Sequence, residues 1–390
     1  MGLNETASAD RLHIGFFGKR NAGKSSLVNA VTGQETSVVS EVKGTTTDPV
    51  RKAMELLPLG PVVIIDTPGL DDEGDLGELR VKRALQVLNT VDIAVVVVSA
   101  AVGIDREEAE LCELLKKKNI PYIIAYSKSD LLEKIPTAAD NEIYVSAIDN
   151  TNIDALKDKI GALHKTSEEK RVIVSDLIKE GDVVVLVVPI DKAAPKGRLI
   201  LPQQQTIRDI LDAGAHAFVC RDSELEGVLS KLSEKPRMVI TDSQVFAQVE
   251  KLTPAGTHLT SFSVLMARHK GDIKAFVEGV SALRSMPADG RILIAEACSH
   301  IPQNEDIGRV KLPRLLRSKL GDMVQIDIVS GNDFPEELGR YDLVIHCGAC
   351  MFNRRMVMSR VRQAKAQGVP ITNYGIAIAA LNGILEKVTI

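Results

Sequence analysis

Short apolar runs alternate with amphipathic stretches from residue 12 to about residue 165 of the chain. Nearly every position in these runs is apolar, which is typical of strands that helices bury on both faces of a parallel sheet. The pattern therefore predicts a doubly wound α/β domain, whose strands lie at residues 12–17, 62–66, 93–99, 122–126 and 143–145.

The rest of the chain continues the alternation in two further blocks. Residues 164–170 are charged and lack periodicity, as expected of a linker. Further strands are predicted at residues 182–188, 217–220, 291–295, 324–329 and 343–345, and helices at residues 203–213 and 223–232. At roughly 150 residues per domain, a chain of 390 residues should form two or three domains. We expect three α/β domains, at residues 1–166, 171–262 and 263–390.

Composition excludes several classes of protein. Aromatic residues make up 3% of the chain, there is no Trp and the net charge is -4, all of which argue against a surface for nucleic acid. No apolar run approaches the roughly 18 residues that a membrane span needs. The start of the chain lacks a signal-peptide pattern, so a cytoplasmic location is expected. Five cysteines in a reducing compartment suggest metal ligands rather than disulfides.

Residues 18–25 match the phosphate-loop pattern G-x-x-x-x-G-K-[ST] between a predicted strand and a predicted helix. Backbone amides of such a loop surround phosphates, the Lys24 ammonium binds the β and γ groups, and the Ser25 hydroxyl binds magnesium. The residues expected to contact nucleotide here are Gly18, Asn21, Ala22, Gly23, Lys24, Ser25 and Ser26.

Two further segments complete the predicted magnesium and γ-phosphate contacts. Asp66 ends a strand and is followed by Thr-Pro-Gly, which places a carboxylate near magnesium and the Gly69 amide near the γ-phosphate. Residues 44–48 supply Thr45 and Thr46, of which Thr46 is the preferred magnesium ligand beside Ser25 and Asp66. Loops that only the γ-phosphate orders would form a switch that relaxes on hydrolysis.

Residues 10–165 resemble the GTPases related to TrmE and Era. The guanine-reading N-K-x-D motif of that group corresponds to Ser127-Lys128-Ser129-Asp130, and its last element corresponds to Ser146-Ala147. The resemblance implies that Asp130 accepts hydrogen bonds from guanine, so GTP and Mg²⁺ are the expected ligands.

The chain departs from that pattern at Ser127 and differs from Ras-like enzymes at Leu70. Ser127 replaces the usual Asn, which could weaken the affinity for guanine, and Leu70 stands where Ras-like enzymes carry Gln, so slow hydrolysis is expected. Asn21 matches an Asn that is implicated in potassium binding within the TrmE group, so activation by K⁺ is a hypothesis. The expected catalytic residues are Lys24, Thr46 and Asn21.

Cysteine and histidine concentrate near the C-terminus, in Cys298-Ser299-His300 and in His346-Cys347-Gly348-Ala349-Cys350. Both segments follow predicted strands, and ligands gather beyond the carboxyl ends of parallel strands. The candidate metal ligands are Cys298, His300, His346, Cys347 and Cys350. A closed Cys₃His zinc site fits this set and is the commoner use of these residues, whereas a cubane cluster with three cysteines leaves one iron open.

The spacing C-x-H, then H-C-x-x-C, attached to a TrmE-like GTPase, is similar to the HydF family of [FeFe]-hydrogenase maturation GTPases. Residues 188–199 are similar to the start of that family's middle domain. The resemblance implies a middle dimerisation domain and a C-terminal domain that binds a [4Fe-4S] cluster through the three cysteines. His300 and His346 are candidates for the fourth ligand or for contacts to the cargo, and they could equally support the ligands from behind. Glu296 and Glu305 could reach an open iron, and Arg291, Lys311 and Arg354 could neutralise cyanide.

The same resemblance implies a scaffold rather than a catalyst of metal chemistry. A di-iron H-cluster precursor would come from the radical-SAM maturases HydE and HydG and pass to apo-[FeFe]-hydrogenase, with the chain acting as a homodimer. No nucleic acid or membrane partner is expected. The alternative hypothesis is a zinc-stabilised GTPase that acts on tRNA or ribosomal RNA, as relatives of TrmE and Era do.

Overall fold

The computed structural model describes residues 8–33, 50–69, 84–167, 172–190, 199–297, 306–331 and 333–389. The chain divides into two compact units, Met1–Lys170 and Arg171–Ile390. Within the described ranges, no helix is both long enough and apolar enough to cross a membrane.

The first unit is built around a six-stranded sheet with the order β2-β3-β1-β4-β5-β6. β2 is antiparallel to β3, and the other neighbours are parallel. Its strands are β1 Leu12–Phe17, β2 Val50–Leu56, β3 Gly60–Asp66, β4 Ile93–Ser99, β5 Tyr122–Ser127 and β6 Glu142–Tyr144. Its helices include α1 Lys24–Thr32, α2 Arg106–Lys117 and α3 Ile153–Ser167.

Strand β4 illustrates why the apolar runs form the centre of this sheet. Val95 and Val97 belong to one hydrophobic core, whereas Val96 and Val98 belong to a second core. Because successive strand residues point to opposite faces, a run that is apolar at every position packs against helices on both sides. The predicted doubly wound α/β domain is thus confirmed.

The second unit contains two four-stranded sheets in which every neighbouring pair is parallel. The first has the order β10-β9-β7-β8 and the second has the order β12-β11-β13-β14. Their strands are β7 Val183–Val187, β8 His216–Cys220, β9 Met238–Thr241, β10 His258–Ser261, β11 Arg291–Ala295, β12 Gln325–Val329, β13 Leu343–His346 and β14 Ile371–Asn373. The α-helices are α4 Leu201–Asp212, α5 Leu225–Leu229, α6 Phe246–Leu252, α7 Phe262–Lys270, α8 Ile273–Gly279, α9 Leu312–Leu320, α10 Arg354–Ala366 and α11 Tyr374–Leu381.

A single hydrophobic core joins these two sheets. It contains Val185 and Val239 of the first sheet, Ile294 and Val344 of the second, and Val264 of α7. Residue 262, at which a domain boundary is predicted, lies at the start of α7 inside the second compact unit. The C-terminal sheet places the carboxyl ends of its parallel strands along one edge, and the cysteine-bearing loop follows β13 there.

Candidate nucleotide site and metal centre

The phosphate loop connects β1 to α1, and its backbone requires glycine at defined points. Gly18 has φ 151°, and a Cβ there would lie 2.2 Å from the Val97 carbonyl oxygen. Asn21 and Gly23 have φ 59° and 89°. Left-handed residues of this kind turn successive N–H groups toward one concave surface, which is an anion-binding arrangement. The local geometry therefore suits the phosphate site that the motif predicts.

Lys24 lies at the first position of α1 and is buried, with 8% of its surface exposed. Its Nζ donates to the carbonyl oxygens of Gly18 at 2.9 Å and of Lys19 at 2.6 Å. The ammonium thus lies within the loop, against the backbone that would surround a β or γ phosphate. Phosphate oxygens can replace these carbonyls as stronger acceptors because they carry charge.

The predicted magnesium ligands Ser25 and Asp66 meet in the structure. Ser25 Oγ donates to Asp66 Oδ2 at 2.8 Å, and Asp66 Oδ1 is buried with no hydrogen-bond partner among the described residues. A buried carboxylate oxygen beside a hydroxyl is a donor set that Mg²⁺ prefers. Gly69 is the last described residue of this loop; Thr45, Thr46 and Leu70 lie outside the described residues.

The turn that is predicted to read guanine, residues 127–130, is tied to the phosphate loop by two side chains. The buried Ser127 hydroxyl lies within hydrogen-bond distance of the Ala22 carbonyl oxygen and 3.1 Å from that of Val98. Lys128 Nζ donates to Asn21 O at 2.8 Å. Ser127 therefore connects these two loops with a side chain shorter than Asn.

The remaining predicted guanine contacts surround this turn. Asp130 is exposed in a 3₁₀ turn. Ser146 is fully buried, and its Oγ accepts from the Ile148 amide at 3.2 Å. Ala147, between them, is partly exposed. The Ser146 side chain thus holds the backbone amide of Ile148.

The structure adds a charged contact that the motifs do not predict. Lys19 of the phosphate loop forms ion pairs with Asp105 and Glu107 at the start of α2. Asp105 caps this helix together with Glu108, which is 3% exposed. Burial, followed by the hydrogen bond with Asp105, raises the pKa of Glu108 to about 7. The hydrogen bonds from Glu108 and Lys19 hold the pKa of Asp105 well below its usual range.

At the candidate metal centre, Cys347 is the first residue after β13. Its Sγ accepts from the backbone amides of Ala297 at 3.0 Å and of Ala349 at 3.4 Å. Burial raises the pKa of the Cys347 thiol to about 11, although these amides oppose the shift. Ala349 has φ 53°, and this left-handed residue turns the chain between Cys347 and Cys350.

The ring of His346 is fully buried, and both of its nitrogens have protein partners. Nε2 lies 3.0 Å from Arg360 Nη1, and Nδ1 lies 2.8 Å from the Cys347 carbonyl oxygen. Arginine can only donate, so Nε2 is the acceptor and Nδ1 carries the proton. Burial, with help from the Arg360 charge, lowers the pKa of His346 to about 3. In this arrangement both nitrogens contact protein groups, and the ring holds the Cys347 backbone.

Two more buried side chains support the cysteine loop. Lys270, at the end of α7, is 3% exposed and its Nζ donates to the carbonyl oxygens of Ala349 at 3.4 Å and Phe352 at 3.1 Å. Asn373, the last residue of β14, donates to Cys347 O at 3.4 Å. The loop that carries Cys347 and Cys350 is therefore fixed from several elements.

Seven other residues are predicted at or near this centre. Cys298, His300 and Glu305 lie outside the described residues. Glu296, at the end of β11, pairs with Arg309 at 3.0 Å. The three basic residues expected near cyanide all contact protein groups: Arg291 pairs with Asp327, Lys311 donates to Gln244, and Arg354 donates to the carbonyl oxygens of His269 and Gly271.

Three family models match successive parts of the chain. Residues 13–128 match the 50S ribosome-binding GTPase model, residues 173–271 match the hydrogen maturase F dimerization domain, and residues 274–389 match the hydrogen maturase F tetramerization domain. The chain is a HydF-like GTPase. The suspected relationship to HydF is thus confirmed, and so is the GTPase domain. The last matched domain is named for tetramerization and contains Cys347 and Cys350.

Curated relatives match about two fifths of this chain. GTPase Der of Kosmotoga olearia is 33% identical over 170 residues, which cover 39% of this chain and 38% of that protein. The tRNA modification GTPase MnmE of Thiobacillus denitrificans is 33% identical over 150 residues, covering 38% and 33%. The chain thus spans between 33% and 38% of the length of these relatives.

Solved structures of GTPases are also similar. Era in complex with MgGDPNP and a 16S ribosomal RNA fragment is 20% identical, with 54% of this chain and 94% of that chain covered at a TM-score of 0.34. A probable GTP-binding protein engB is 23% identical, with 40% and 99% covered at a TM-score of 0.33.

Proposed function

We propose that this HydF-like GTPase is a scaffold for [FeFe]-hydrogenase maturation. It binds a [4Fe-4S] cluster through Cys298, Cys347 and Cys350, holds a di-iron H-cluster precursor as cargo, and passes that cargo to apo-hydrogenase. HydE and HydG are the proposed donors of the precursor. The cytoplasm, where the named thiols stay reduced, is the proposed location.

The placement of Cys347 carries this proposal. Its sulfur lies at the carboxyl end of a parallel strand and accepts two backbone N–H groups. Hydrogen bonds to sulfur are among the features that set the potentials of iron-sulfur clusters. Cys350 follows after a left-handed turn, so both thiols belong to one rigid loop. The donor set therefore fits a thiolate-bound cluster, which when bound supplies an iron with an open coordination position.

Three other side chains hold the cysteine loop in place in this proposal. His346 and Asn373 hold the Cys347 carbonyl, and Lys270 holds the following turn. Because these contacts come from β13, β14 and α7, the cysteine loop keeps its shape while cargo arrives and leaves. Cys298 follows β11, the strand that pairs directly with β13.

The cluster can be tested on protein purified without oxygen. Wild-type protein should be brown, absorb near roughly 400 nm and contain about four iron and four sulfide per chain. Cys347→Ala and Cys350→Ala should lose most of this iron. Cys220→Ala is the matched control, because Cys220 is a buried thiol of β8 and should not alter the iron content. Colourless protein that contains zinc would instead support the zinc-stabilised GTPase acting on RNA.

GTP hydrolysis by the N-terminal domain is proposed to regulate transfer. The nucleotide and the cysteines belong to different units of the chain, so any link between them has to be conformational. The affinities for HydE, HydG, apo-hydrogenase and cargo should therefore differ between the GTP and GDP states. Equal affinities in both states would contradict regulation by nucleotide.

Self-association is the last part of the proposal. The matched dimerization and tetramerization domains support an oligomer, and we propose a homodimer as its basic unit. Sedimentation of the purified chain at several concentrations would measure the assembly. A chain that stays monomeric at micromolar concentration would contradict it.

A further inference from the structure

Arg360 joins the carboxyl ends of three strands in the C-terminal sheet. It lies on α10 and is 4% exposed. Its Nη1 donates to His346 Nε2 at 3.0 Å, at the end of β13, and to Glu296 O at 3.5 Å, just after β11. Its Nη2 donates to Gly331 O, just after β12. One guanidinium therefore fixes three loops of this edge, two of which lead into the cysteine segments.

The positive charge of Arg360 lacks an ordinary counter-charge. Phe334 and Phe352 lie against the guanidinium, each ring centre 4.7 Å from its central carbon. Its other partners are carbonyl oxygens and a neutral imidazole, and no carboxylate pairs with it among the described residues. Buried arginines are normally paired with an anion, because an isolated charge is costly to bury. His346, which accepts one of these hydrogen bonds, directly precedes Cys347 in the chain.

We propose that Arg360 is the positioning residue of the cluster site. Its buried positive charge is balanced by the anionic thiolates and cluster, and its contacts fix the strand ends at Glu296 and His346. This inference rests on the proposed cluster. Its physical consequence is electrostatic: a buried cation in a region of low dielectric stabilises the state that carries one more electron. Arg360 should therefore raise the reduction potential of the cluster.

The test compares the full-length chain with three variants after anaerobic reconstitution with Fe²⁺ and sulfide. Arg360→Met removes the charge and keeps an apolar stem between the two phenylalanines. Arg360→Lys keeps the charge but cannot reach three loops at once. Arg362→Gln, an exposed arginine of the same helix, is the matched control. The measurements are iron and sulfide content, the electron paramagnetic resonance spectrum of the reduced cluster, and its midpoint potential.

We expect reduction of the cluster in Arg360→Met to be at least about tenfold less favourable, a shift of about 59 mV to lower potential for one electron. Arg360→Lys should keep a potential near that of the wild type while binding less iron or giving an altered spectrum. Arg362→Gln should match the wild type in every measurement. A cluster in Arg360→Met with unchanged potential and spectrum would overturn the inference.

Misfolding and failure of the proposed function give different results. Far-ultraviolet circular dichroism and the oligomeric state report whether each variant folds. If Arg360→Met does not fold, Arg360→Lys decides: iron content, spectrum and potential all equal to the wild type would overturn the fixing role of the guanidinium. Absence of any iron-sulfur cluster from the wild-type chain would refute the proposed function itself, and the inference with it.

Discussion

Ser25 donates a hydrogen bond to one oxygen of Asp66, whose other oxygen is buried without a hydrogen-bond partner in the described part of the chain. Mg²⁺ would bind to the Ser25 hydroxyl and to the Asp66 carboxylate. We expect Asp66→Asn to lower the rate of GTP hydrolysis by at least about tenfold, because a carboxamide holds the cation weakly. GTP hydrolysis measured against Mg²⁺ concentration tests this. Asp154→Asn, at an exposed position of α3, should hydrolyse GTP at the wild-type rate.

Ser127 should determine how firmly the guanine-reading turn is held. Its hydroxyl contacts the Ala22 carbonyl across the two loops, so Ser127→Ala removes the contact and leaves a buried carbonyl without that partner. A lost hydrogen bond of this kind costs about 1–2 kcal/mol. We expect the affinity for GDP to fall by about 5- to 30-fold, measured by isothermal titration calorimetry. Unchanged affinity would show that the Ser replaces Asn without a structural role.

Potassium activation can be tested without straining the phosphate loop. Asn21 has φ 59°, a conformation that Ala adopts at a cost, whereas Gly adopts it freely. Asn21→Gly is therefore the informative variant, because it removes the carboxamide without straining the backbone. We expect the wild type to hydrolyse GTP faster in KCl than in NaCl and the variant to show equal rates, with its affinity for GDP preserved. Equal rates in both salts for the wild type would remove the hypothesis.

The parts of the fold that sequence alone predicts are those where burial is visible in a continuous run. β4 is apolar at six of its seven positions, and the phosphate loop lies in the strand-to-helix context that its motif requires. β2 is different, because most of its residues are exposed or half-buried and it forms only through antiparallel pairing with β3. β14 has three residues, all buried, and depends on pairing with β13. Such strands are defined by tertiary contacts.

The residues of the candidate sites also divide into those that a local sequence pattern reveals and those that only tertiary contacts reveal. The sequence places His346 and Cys347 at the end of a strand; in the structure His346 is the last residue of β13 and Cys347 follows it. Arg360 occupies the apolar stripe of α10 that includes Val357 and Val361. A charged residue within such a stripe indicates from the sequence alone that this arginine is buried for a specific purpose. Its acceptors at Glu296 and Gly331 are far away in sequence, and no local pattern reveals them.

The raised pKa of Glu108 should make the stability of the GTPase domain depend on pH. Its pKa is about 7 in the folded chain and 4.5 in its ordinary state. Between these values the folded state holds a proton that the unfolded state has released, so the free energy of unfolding should fall as pH rises from about 4.5 to about 7. Asp105 contributes in the opposite sense, because its lowered pKa gives stability that is lost only at more acidic pH.

Glu108→Gln should remove this slope, because the amide donates to Asp105 at every pH. We expect the wild type to lose about 1–3 kcal/mol between pH 5 and pH 8, and the variant to stay nearly level over that range. Calorimetry measures this if the transition of the GTPase domain is identified by its stabilisation with GDP. Glu110→Gln, an exposed residue of the same helix, should keep the wild-type slope. A Glu108→Gln variant with that same slope would mean that the carboxyl of Glu108 does not hold the proton in the folded chain.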